Sequence, residues 1–160
     1  MLVYHPAYDS YHCITRILKI MQSLDIKEYN IDRIRIYDYY ILFLNDINNI
    51  TLPTAFFEYK KIEKSNRFNK VHNSIYVFTQ LENGQNIALR AMASYGFIDK
   101  DLFDKDIIKL CLTELPKEIN NSLNSKEDKY IDFLKSFFEK QTLREVKKRT
   151  KLMEYRYELS

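Results

Sequence analysis

From residue 14 the apolar positions fall at helical spacing: Ile14, Ile17, Leu18, Met21 and Leu24 follow the i, i+3, i+4, i+7 rule. Asp9 or Ser10 stands where an N-cap is wanted, with a side-chain oxygen able to accept a free amide of the first turn. The spacing therefore predicts a helix beginning there. A second helix starts at Asp32. Its stripe of Ile34, Tyr37, Ile41 and Leu44 is widened by Ile36, Tyr40 and Phe43. So broad an apolar face suits a central helix packed on more than one side.

Beyond a polar break at NDINNI, Pro53 sits at or near the first turn of a short helix, TAFFEYKKIEK, where proline's missing amide costs nothing. The run SIYVFTQL is compatible with strand or helix by composition. Its continuation ENGQNIALRAMASYG reads as helix, with Leu81, Ala88, Ala91, Met92 and Tyr95 aligned and Gly96 in the position just past the end. A helix is then expected over DLFDKDIIKLCLTEL, interrupted near Pro116. Ser125 caps KEDKYIDFLKSFFEK, and Thr142 with Glu145 has the spacing of a capping box for the last helix. LVYHPAY at the start is short, aromatic and β-branched. Pro6 bars it from a central strand, so an edge strand or extended arm is expected.

The expected fold class is thus mainly α, with about seven helices and little strand, in a single domain spanning 1–160. Its core would cover about 1–124, with C-terminal helices as an extension over about 125–160. Only two glycines and three prolines occur in 160 residues, too few for the tight turns of an all-β fold. Helices over 32–44, 54–63 and 80–95 have the order of a helix-turn-helix core. The ending AMASYGFI is how winged-helix domains often finish their third helix, although an acidic helical segment follows here in place of a wing.

Composition adds a globular, soluble reading: 46% hydrophobic and 29% charged residues. No run approaches the ~18–20 apolar residues of a membrane span. Residues 1–13 lack the basic region of a secretory signal. Cys13 and Cys111 are the only cysteines, each among apolar neighbours, which suggests buried free thiols in a reducing cytoplasm. Thirteen tyrosines and ten phenylalanines suggest part-exposed aromatic surface and hence interfaces.

The net charge of +3 is local. KKIEKSNRFNK at 60–70 carries a net +4, and REVKKRTKLMEYR at 144–156 another +4, leaving the remainder at about −5. Lys60, Lys61, Lys64, Arg67 and Lys70 are therefore candidates for meeting nucleic-acid phosphates. Solvated helix faces would look the same. In the last helix Arg144, Lys147, Lys148, Arg149, Lys151 and Arg156 give a positive face. Val146, Leu152, Met153, Tyr155 and Tyr157 spread apolar contacts over more than one stripe.

Chemistry is hard to place. MLVYHPAYDSYHC holds His5, His12 and Cys13, but zinc needs four ligands at recognisable spacings, and no CxxC or HxxxH occurs. Cys13 as a nucleophile needs a base in reach, and on a helix the adjacent His12 points about 100° away. With Gly84 and Gly96 alone, phosphate-binding glycine loops are excluded. Asp99/Asp101 and Asp104/Asp106 suit helix starts. No cofactor and no catalytic residue is expected. Bottom-up, the alternatives are an adaptor and a helix-turn-helix nucleic-acid-binding regulator, with an enzyme third.

Two passages at the right distance, YHPAYDSYHCITRILKIM and IDRIRIYDYYILF, resemble the small middle components of ABC-three-component bacterial conflict systems, of which Lamassu defence operons are one type. IALRAMASYGFID is similar to that group's central helix and VKKRTKLMEYRYE to its end. The resemblance implies a mostly helical, winged-helix-like accessory subunit without catalytic residues. It would link an SMC/Rad50-like ATPase to an effector, often a nuclease, and answer to foreign DNA. It also implies structural or interface roles for Tyr4, His5, Pro6, Tyr11, His12, Arg33, Asp38, Tyr39, Lys148, Arg149, Met153, Tyr155 and Arg156. Together with Lys147 from the basic helix, the partner-binding candidates are Tyr4, His5, Tyr11, His12, Lys147, Lys148, Arg149, Met153, Tyr155 and Arg156.

Overall fold

A computed structural model of the chain describes residues 9–24, 28–61, 73–111 and 125–154. Among these the fold is mainly helical. The α-helices are α1 (Ser10–Leu24), α2 (Ile31–Leu42), α3 (Ser74–Ser94), α4 (Lys100–Phe103), α5 (Ser125–Ser136) and α6 (Leu143–Thr150). Short 3-10 helices cover Leu44–Asn49, Thr54–Lys61 and Phe138–Lys140, and β1 (Glu28–Asn30) pairs antiparallel with β2 (Ile107–Lys109). The expected N-terminal arm over LVYHPAY lies outside the described residues.

Helix α1 starts as its sequence requires: the Asp9 carboxylate accepts the amides of Tyr11 at 2.8 Å and His12 at 3.2 Å. Its buried face is Cys13, Ile17, Leu18, Ile20, Met21 and Leu24. Helix α2 is the central element that its wide stripe predicts. Apolar residues are buried on all its sides, from Ile31 and Ile34 to Tyr40 and Ile41, and α1, α3, α5 and both strands pack around it. Asn30 caps it by accepting the amide of Asp32 at 2.9 Å. The ambiguous run SIYVFTQL is helix, the first third of α3, capped by Asn73.

Tyrosine is a core residue here. Tyr29, Tyr37, Tyr39, Tyr40 and Tyr130 are all buried. Two of these hydroxyls are satisfied inside the fold, as buried Tyr usually is: Tyr130 donates to the Tyr37 carbonyl at 2.6 Å and Tyr39 to Asp46 at 2.6 Å. A ring cluster of Phe133, Phe137 and Phe138 receives Phe56 and Tyr59 of the second 3-10 helix. That helix, placed in the sequence as the middle of a helix-turn-helix, therefore leans on α5 and its continuation.

Three expectations are corrected. Of the helix expected over 101–115, the described residues 101–111 hold only the single turn α4, followed by strand β2, and 112–115 lie outside the described residues. Asp99 caps α4 through the Leu102 amide at 2.9 Å, and Asp106, three residues beyond the end of α4, adopts a left-handed conformation with φ 61°. Aspartate tolerates that region better than most residues. Its carbonyl accepts the Ile31 amide at 2.9 Å, and the β-branched pair Ile107–Ile108 continues as strand. Tyr95 is not aligned with the buried side of α3. It is 71% exposed at the helix end, before Gly96 with φ 76°. Cys111, expected to be buried, is exposed just beyond β2.

Helix α6 starts as its capping signature predicts, but it is shorter than expected: it stops at Thr150, with Lys151 left-handed at φ 58°, so Lys151, Leu152 and Met153 lie beyond it. The Thr142 hydroxyl accepts the Glu145 amide at 3.2 Å, while Glu145 accepts the Thr142 amide at 2.7 Å. Val146, Leu152 and Met153 are buried and anchor α6 to the core. Among the described residues no helix is long and apolar enough to cross a membrane.

Candidate partner interface

Several charged groups are used inside the fold, Asp38, Arg33 and Lys147 among those that the sequence singles out. Asp38 is fully buried at the meeting of α1, α2 and α3. It accepts Arg16 through Nε at 2.6 Å and Nη2 at 3.1 Å, and Gln85 Nε2 at 2.9 Å. Burial alone would discourage the Arg16 charge, but Asp38 outweighs it and holds the guanidinium more firmly protonated. Cys13 points into the same centre, its Sγ 3.7 Å from Asp38 Oδ2. Burial, then the Asp38 charge, pushes its thiol far above the ordinary value. A thiolate nucleophile is therefore disfavoured at this position.

A second joint ties α2 to the chain's last third. Arg33 donates to the Tyr37 hydroxyl, the Phe138 carbonyl and the Gln141 carbonyl, all within 2.9 Å. Tyr37 in turn donates to Glu139 at 2.5 Å. A third runs across three helices: Lys147 of α6 meets Asp32 at 2.7 Å, and Arg35 of α2 lies 3.6 Å from Asp32 and 3.5 Å from Glu82 of α3. Arg35 also donates to Asn86. Apart from the neighbours Asp32–Arg35 and Arg33–Tyr37, the partners in these joints lie far apart in the chain, as Arg33 and Phe138 do at 105 residues.

The candidate residues divide accordingly. Tyr11, at 63% exposure, and His12 stand at the open start of α1. The His12 ring lies edge-on to Tyr11 at 5.7 Å, and its Nδ1 lies 3.5 Å from Asp9. Lys147 is engaged by Asp32. Arg149 donates to the Gln141 side chain and the Thr51 carbonyl, each at 2.9 Å, and its guanidinium lies 5.2 Å from the Phe137 ring centre. Met153 is 1% exposed. These three side chains hold the domain's own C-terminal segment in place. Lys148 is exposed, as is Arg144 one turn before it. Arg33, Asp38 and Tyr39, singled out by resemblance, are structural.

Of the basic stretch at 60–70, Lys60 lies 5.4 Å over the Phe57 ring and Lys61 is the last residue of its 3-10 helix. Lys64, Arg67 and Lys70 lie outside the described residues, as do Tyr4, His5, Tyr155 and Arg156. Exposed large apolar side chains are Tyr11, Phe57, Tyr76, Ile87 and Tyr95. Among the described residues no group of three or more His, Cys, Asp or Glu side chains could hold a metal ion.

What this geometry offers is a scaffold with charged joints inside and a basic edge outside. The family model of the ABC-three component (ABC-3C) system Middle Component 5 matches residues 2–158. The chain belongs to that family. No curated protein and no solved structure matches it. As a Middle Component 5 chain it is one part of a system with several components, and its mainly helical class agrees with the mostly helical character that the sequence resemblance implied.

Proposed function

We propose that this Middle Component 5 chain is a non-catalytic accessory subunit that bridges two larger partners, an SMC/Rad50-like ABC ATPase and an effector of nuclease type. In this reading the complex is a cytoplasmic anti-phage assembly of the Lamassu kind, and foreign DNA sensed by the complex changes how the effector is held. The observation that carries the reading is the family match across residues 2–158. The use of Asp38, Arg16, Arg33, Glu139 and Lys147 as internal ties supports it, since a bridge must transmit force without deforming.

The test is binary binding. The full chain, co-expressed with the ATPase component of its own system, should co-elute with it on gel filtration at micromolar concentration. Two separate peaks would contradict the reading. So would DNA cleavage or nucleotide hydrolysis by the purified chain alone.

A further inference from the structure

Helix α6 can be oriented residue by residue. At about 100° per residue, Leu143, Val146 and Thr150 fall on one side, and Arg144, Glu145 and Lys148 fall toward the opposite side. Val146 is fully buried and Leu143 and Thr150 half-buried, while Arg144 and Lys148 are exposed. The two flanks are pinned: Lys147 to Asp32 on one, and Arg149 to Thr51, Gln141 and the Phe137 ring on the other. These ties fix the outer side of the helix, where Arg144 and Lys148 stand one turn apart as a basic ridge with exposed Glu145 beside them. Exposed Lys140 and Lys151 stand before and after it in the chain.

Stabilisation of the helix itself accounts for Lys148 but not for Arg144. Cations near a helix C-terminus favour the macrodipole, which explains Lys147, Lys148 and Arg149 in the last turn. Arg144 lies in the first turn, where a cation opposes the dipole, and it has no ion pair among the described residues. A local rule broken with no compensating contact among the described residues makes Arg144 a candidate for a contact outside the domain.

We propose that the ridge of Arg144 and Lys148, with Lys140 and Lys151 at its ends, docks on an acidic face of another protein component of the system. This inference rests on the chain's working within a multi-component assembly. A protein suits the ridge better than nucleic acid. Exposed Glu145 and Glu154 lie in the same segment, and a duplex with one negative charge per ~1.7 Å of axis would press phosphates against them. A protein surface can set its carboxylates opposite the cations alone, and bidentate Arg144 would be the stronger anchor.

The experiment compares the full chain with Arg144→Glu/Lys148→Glu and with the milder Arg144→Gln/Lys148→Gln, each checked for an unchanged thermal midpoint. The probes are the ATPase component, the effector component and a short DNA duplex. Weakening of component binding by about tenfold or more in the folded variants, with the loss deepened at low salt, is expected. If the wild-type chain binds a component and both folded variants bind it equally, the ridge proposal is overturned while the accessory reading stands. If the wild-type chain binds no component, the accessory reading falls first. If the variants lose duplex binding while keeping component binding, the ridge belongs to nucleic acid and the proposal is overturned.

Discussion

Arg16 grips Asp38 with two hydrogen bonds, 2.6 Å and 3.1 Å, on a carboxylate with no solvent exposure. The pair links α1 to the centre of α2, and Gln85 brings in α3 from the third side. A carboxylate so enclosed is tolerable only because every helix around it supplies a partner.

Asp38→Asn should therefore destabilise the domain by about 3–5 kcal/mol, since it leaves Arg16 buried against a neutral amide. Chemical denaturation measures this. The apolar pair Arg16→Met with Asp38→Leu should recover much of the loss, because neither charge is then stranded. A single variant as stable as the wild type would show that the pair contributes nothing to the joint.

The two thiols should separate cleanly in a labelling experiment. Cys111 is exposed and should react with a maleimide in the native protein, whereas Cys13, buried against Asp38, should react only on unfolding. Mass spectrometry of labelled peptides distinguishes them. Rapid native labelling of Cys13 would contradict the packing of α1.

Stability should fall in alkali. Burial raises the Cys13 thiol and the Tyr37, Tyr39, Tyr40 and Tyr130 hydroxyls above their ordinary values of 9.0 and 10.0. The unfolded chain releases these protons as pH passes those ordinary values, while the folded chain keeps them. Their contribution is complete below about pH 9 and shrinks above it. The urea midpoint should be lower near pH 10.5 than near pH 8. A flat or rising midpoint would contradict the buried tyrosine core.

At the capping box, Thr142→Ala should cost about 1 kcal/mol and Thr142→Ser much less, because serine can still accept the Glu145 amide. Equal losses would mean that the hydroxyl contact is not what holds the start of α6.

Local features were legible in the chain: the Asp9 cap, the Thr142–Glu145 box, the wide face of α2 and the glycine stop at Gly96 all depend on residues a few positions apart. Their physics is contained within one or two turns. The hub at Asp38 was not legible as a hub, because Arg16 and Gln85 lie 22 and 47 residues away and meet it only through the way α1 and α3 roll against α2. Strand β2 was missed for a related reason. Ile107 and Ile108 continue a helical spacing on paper, and only pairing with β1 and the left-handed Asp106 decide for strand. In the candidate interface the basic character of α6 was readable. Which cations face outward was not, since that depends on Asp32 and Thr51 as distant partners of Lys147 and Arg149.

The central claim is bridging, and its most direct test has three components in one tube. The ATPase, the effector and this chain are mixed in full length, with one component omitted in turn, and the mass of each complex is measured by light scattering. The account predicts one complex containing all three, and no association of effector with ATPase when the chain is left out. Full association of effector with ATPase in its absence would contradict the claim.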